Sequence, residues 1–198
     1  MKRGGEKRSN KIRIQPDWKW ITSIFGITIG ISATMSLVSN EALSGSGLAV
    51  SFVVLLAIVF LGVIFDIIGV AVTAADEKPF HSMAAKKMPE AVVAIRMLRR
   101  AERVSSFCND VVGDICGVVS GSASAVIAAR AVVGMQPIWA RLLQLLMSAF
   151  VAGLTVGGKA FGKSVAMNNS TVIIHTAAKL IYWFKSLPKR LVRWLRRT

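Results

Sequence analysis

Four apolar blocks, separated by segments that carry almost all the charge, constrain this chain more than any other feature. They run over 18–39, 48–75, 104–129 and 138–157. About 20 consecutive apolar residues suffice for a helix to cross the hydrocarbon core of a bilayer. Backbone N–H and C=O groups in hydrocarbon must be paired within the segment, so blocks of this kind predict helices. The second block, at about 28 residues, exceeds the membrane thickness and must tilt or project beyond it. The expected fold is therefore an all-α integral membrane protein with about four transmembrane helices, a cytoplasmic amphipathic juxtamembrane helix over 79–102 and a basic C-terminal helix.

Composition agrees with that class. Of the 198 residues 54% are apolar and 18% charged, against roughly a quarter charged in a soluble domain. Two cysteines and five prolines exclude a disulfide scaffold and a disordered chain. Cys108 and Cys116 lie in one predicted span, more than two helical turns apart and too far for a mutual disulfide.

The formal charge of +15 would elsewhere suggest nucleic acid. Here the cations flank the apolar blocks, which predicts no nucleic-acid partner and contact with a bilayer whose inner leaflet is anionic. Lys and Arg number seven before or at the start of the first span, none in the first turn, seven in the second connection, two around the third and nine from Lys159 onward. The positive-inside rule then predicts a multi-pass protein of the cell's inner (plasma) membrane with both termini cytoplasmic. Three regions follow: a basic N-terminal segment 1–17, a helical transmembrane domain 18–184 and a basic amphipathic C-terminal helix 185–198.

Local signals refine this. Asp17-Trp18-Lys19-Trp20 places tryptophans at an interface. Gly26 and Gly30 form a G-x-x-x-G, a spacing that lets helix backbones approach. Pro79 and Pro89 mark helix starts. Positions 88, 92, 95 and 99 put three apolar groups and an arginine stem on one stripe, predicting a helix that lies on the membrane surface.

Candidate chemistry is sparse. No P-loop, H-E-x-x-H, nucleophile elbow or C-x-x-C occurs, and two histidines with one tyrosine leave little for acid–base work, so an enzyme is not expected. His81 and His175 read as structural or interfacial. Acidic and amide groups at membrane depth are costly and face the protein interior. Asp66 stands alone in the second span. Asn109, Asp110 and Asp114 follow in the third, and the i, i+4 spacing of the two aspartates predicts a shared face. The Gly157-Gly158-Lys159 run could free backbone carbonyls at the end of the fourth span. Hard divalent cations such as magnesium take oxygen ligands, often one or two carboxylates plus waters, and these residues would supply such a set. The plainer reading pairs Asp66 with an interhelical arginine or hydroxyl and puts Asp110 and Asp114 near the interface beside Arg100 and Arg103.

The order of features over about Leu48 to Phe184 resembles the transmembrane domain of the cyclin M (CNNM) and CorB/CorC magnesium transporters. Gly62, Asp66 and Gly69 match its first shared helix. Cys108-Asn109-Asp110-Val111-Val112-Gly113 resembles its Gly-Asn-x-x-x-Asn helix start, and Gly158-Lys159-Ala160-Phe161-Gly162-Lys163 its Gly-Glu-x-x-Pro-Lys turn. The resemblance implies a homodimer in which these segments converge on a divalent cation, with Asp66 and Asn109 as ligands and Gly158 offering a carbonyl. It implies no organic cofactor, only Mg2+. Three positions depart from the pattern. The first segment lacks the family's hydroxyls, Lys159 stands where the family has glutamate, and Gly162 stands where it has proline. The chain also has no room after Phe184 for the cytoplasmic nucleotide-sensing domains.

The expected function is a minimal divalent-cation transporter, or a cation-binding relative, with metal ligands drawn from Asp66, Asn109, Asp110, Asp114 and Gly158. Its alternative is a non-transporting scaffold or regulatory subunit of a larger membrane partner, in which Lys159 neutralises the buried aspartates.

Overall fold

The structure, a computed structural model, describes residues 17–195, with side chains through residue 186. Most of the basic segment 1–17, and the amphipathic face expected over 187–198, lie outside the described residues and side chains. Among the described residues every regular element is helical. Four helical runs are long and apolar enough to cross a membrane, which makes this a multi-pass membrane protein.

The first, α1 (Trp18–Ser44), starts where Asp17 accepts a hydrogen bond from the Trp20 amide at 3.3 Å, satisfying one orphan donor of the first turn. Its other end is closed by Arg130, whose guanidinium donates to the Leu43 carbonyl. The second, α2 (Leu48–Ala74), spans about 40 Å at 1.5 Å per residue and is the axis on which the rest packs.

The connection expected as one helix over 79–102 is two, α3 (Lys78–Ala85) and α4 (Pro89–Leu98). Pro79 is the second residue of α3 and Pro89 the first of α4. The break is chemical: Pro89 forces Met88 into an extended conformation, and Lys87 takes φ 60°. The Met88 amide then bonds the Met83 carbonyl and the Lys87 amide the Ala84 carbonyl, a Schellman closure. The buried face of α4 is also not the predicted stripe. Ala91, Ala94, Met97 and Leu98 are buried, whereas Val92 is 51% exposed. Ala94, Met97 and Leu98 share a core cluster with Ile174, Ala177 and Ala178. These last three belong to α8 (Ser170–Leu195), one continuous helix where a separate C-terminal helix was expected from 185. Small residues on both helices let them close-pack, and the predicted stripe (Met88, Val92, Ile95, Arg99) is exposed or half-buried.

The third run comprises α5 (Ala101–Ser106), a π-helical turn (Phe107–Gly113) and α6 (Asp114–Ala131). The fourth, α7 (Pro137–Asn168), is 32 residues long and continues eleven residues past its expected end. Three apolar clusters stack along α2. Leu43, Leu55, Ala123, Ile127 and Val151 close one end; Ile58, Val111, Ile115, Cys116 and Val119 fill the middle. Phe80 plugs the other end against Ala71 and Val72. The predicted G-x-x-x-G is not used within the chain: a Cβ on Gly26 or Gly30 would meet nothing within 4 Å.

Candidate functional site

Close approach occurs instead where α2 meets the third and fourth spans. A Cβ on Gly62 would lie 2.8 Å from Cys116 Cβ, one on Gly162 2.7 Å from Ile67 Cγ1, and one on Gly158 3.1 Å from Val63. Gly62, Asp66 and Gly69 share one face of α2 at the i, i+4, i+7 spacing. The bare helix surfaces make room for polar groups in the seam. The Asn109 amide occupies the space a Gly69 side chain would need, and Asp66 Oδ1 the space of a Gly113 side chain.

Into this seam α7 delivers Lys159. Its Nζ lies 3.2 Å from Asp66 Oδ2 and 3.6 Å from Asp114 Oδ1, and it donates to the Gly113 carbonyl at 3.3 Å. The Asp66 side chain is 5% exposed and that of Lys159 22%. A lone buried charge is costly, so each is the other's principal compensation. Asp66 is therefore paired with Lys159, the residue that the sequence alternative set against the buried aspartates, and not with the interhelical arginine or hydroxyl of the plainer reading. Two carboxylates against one ammonium leave the cluster with a formal charge of −1.

Asp66, Asp114 and Lys159 converge; the other sequence candidates do not join them directly. Asp110 accepts a hydrogen bond from Ser106 at 2.7 Å. It lines a polar opening of about 570 Å³ with Thr73, Glu102, Ser105 and Ser106. Asp110 and Asp114 were expected on one face. Both are exposed, with the π-turn Phe107–Gly113 between them, and of the two Asp114 is the one that lies within ion-pair distance of Lys159. Acidic groups at membrane depth were expected to face the protein interior, yet the Asp114 side chain is 70% exposed. Gly158 lies inside the uninterrupted α7, whose ladder engages its carbonyl, and its contribution is steric.

Asn109 stands next to the cluster. Its Nδ2 donates to Ser105 at 3.3 Å, while its Oδ1 is buried without a partner, as is Asp66 Oδ1. Sequence reading passed over Ser105 and Ser106, although each precedes its amide or carboxylate partner by four residues, a spacing visible in the sequence. The histidines are peripheral: His81 Nε2 is 3.2 Å from Glu77 and His175 Nε2 3.8 Å from Glu90. Among the described residues no three His, Cys, Asp or Glu side chains are placed to hold a metal together.

The depth of the cluster follows from its neighbours. Arg103 stacks over Trp20, 4.9 Å from the ring centroid, so the start of α5 stands level with the interfacial end of α1. Asp114 lies about 15 Å further along at 1.5 Å per residue, about halfway into a hydrocarbon core of roughly 30 Å. Compared with known proteins, the chain matches no family model, no curated protein and no solved structure.

Proposed function

We propose that the protein is a non-transporting membrane scaffold or regulatory subunit in which Lys159 fills the position a cation would take among intramembrane carboxylates. One observation carries this reading: the Lys159 ammonium sits between Asp66, Asp114 and the Gly113 carbonyl. A tethered ammonium brings its own charge and donors to those oxygens, and a divalent ion arriving there meets electrostatic repulsion. The proposal keeps the likeness to the cyclin M and CorB/CorC transmembrane domain as its frame and gives the lysine, where that family has glutamate, a physical role. It places the protein in the plasma membrane, with both termini and the α3–α4 segment on the cytoplasmic side. The exposed Asp114 carboxylate at membrane depth is costly against lipid, which favours a homodimer whose second copy, or a larger membrane partner, covers that face.

A second reading, divalent-cation transport, is favoured by the two unpartnered oxygens, Asp66 Oδ1 and Asn109 Oδ1. On it the opening beside Asp110 gives cytoplasmic access, and Lys159 withdraws when an ion such as Mg2+ enters. Thermal unfolding in detergent separates the two. Saturation at ten times Kd adds about 1.4 kcal/mol to stability. The scaffold reading predicts no response of the native chain to millimolar magnesium, manganese or cobalt. Stabilisation that is abolished by Asp66→Asn and by Asp114→Asn would instead establish the cation reading.

A further inference from the structure

We infer that the cleft formed by Arg99, Arg100 and Arg103 is a binding site for the phosphate of an anionic phospholipid headgroup. The cleft, about 310 Å³, is lined by these three arginines with Ala101 and Glu102. It lies where α4 ends and the third span begins. All three arginines are exposed, and the guanidinium fork matches the oxygen geometry of a phosphate. Carboxylates take up part of this charge. Glu102 is in the cleft, Glu77 lies 4.0 Å from Arg99 and Asp17 3.8 Å from Arg103. Arg100 has no such partner among the described residues, so the cleft keeps cationic donors directed at solvent.

Depth selects the ligand's source. Arg103 rests on the Trp20 ring, three residues after the Asp17 cap of the first span, and tryptophans at span ends sit at headgroup level. Beside it Trp18 is 69% and Ile21 44% exposed, apolar surface suited to the glycerol and upper acyl region of a lipid rather than to a free ion. A phosphate layer and three arginines at one height are complementary in charge and in position. The inference uses the membrane architecture and is independent of the Lys159 cluster, so either can fail alone.

The test is native mass spectrometry of the full chain in neutral detergent, titrated with phosphatidylglycerol and with phosphatidylcholine. Arg99→Gln/Arg100→Gln should weaken phosphatidylglycerol binding at least tenfold. Lys86→Gln/Lys87→Gln, which removes the same charge from the same connection, should change it less than twofold. Phosphatidylcholine should bind weakly throughout, and 10 mM inorganic phosphate should not displace the bound phosphatidylglycerol (about 10 mM being ample for a free-ion site). Equal losses in the two double variants would show diffuse attraction and overturn the site. Displacement by inorganic phosphate would overturn the lipid assignment, and an unchanged arginine variant would overturn both.

Discussion

Asp66 was conspicuous from sequence as the one acid in the most apolar span, and Lys159 as a cation at the end of another. Their pairing rests on glycines whose meaning depends on what lies opposite. Gly62 faces Cys116 Cβ at 2.8 Å from its missing methyl. That carbon cannot rotate aside, so Gly62→Ala must push α2 away from α6 at a cost of about 1–3 kcal/mol. Gly26, part of the G-x-x-x-G noted in the first span, faces open space, and Gly26→Ala should leave stability unchanged or raise it by up to about 1 kcal/mol, because alanine is the better helix former. Thermal unfolding of the two variants in detergent checks the contrast; equal effects would mean that α2 and α6 do not cross at Gly62. The π-turn over Phe107–Gly113 was hidden for a related reason, because a 3.6-residue period assumes an α-helix and carries no sign of it.

Element existence was the most legible level, because length and apolarity alone force membrane helices. The starts next to Pro79 and at Pro89 were readable from proline chemistry, and the start at Trp18 from where the first apolar block begins. The stop at Lys87 was not, since no glycine marks it. Lys87 holds a left-handed conformation, φ 60°, that costs an L-residue about 1–2 kcal/mol, part of which glycine's extra chain entropy offsets. Lys87→Gly should therefore raise stability by up to about 1 kcal/mol, while Lys86→Gly, at φ −79°, should lower it. Chemical denaturation of both variants decides the point, and a loss in Lys87→Gly would contradict the closure described between α3 and α4. The face that α4 buries against α8 was not legible. Alanines score weakly as an apolar stripe, yet Ala94 is what packs at close range with Ile174, Ala177 and Ala178 of α8.

At the scale of the molecule, charge placement predicts orientation. With four spans and cytoplasmic termini, the turn after α1 faces outward and the α3–α4 connection inward. A membrane-impermeant maleimide applied to intact cells should label Ser44→Cys and leave Lys86→Cys unlabelled until the membrane is opened, the native Cys108 and Cys116 being buried. The reverse pattern would invert the protein. Within the bundle, Lys159 ties α7 to α2 and to the start of α6, so the whole account rests on one coupling across the seam. The direct measurement is a double-mutant cycle on global unfolding with Asp66→Asn, Lys159→Met and the pair. Lys159→Met leaves the buried Asp66 charge alone and should cost about 3 kcal/mol. Asp66→Asn leaves Lys159 with Asp114 and should cost less, and the double variant should lose much less than the two costs added. Additivity within about 0.5 kcal/mol would contradict the account, because Asp66 and Lys159 would then not be compensating each other inside the membrane.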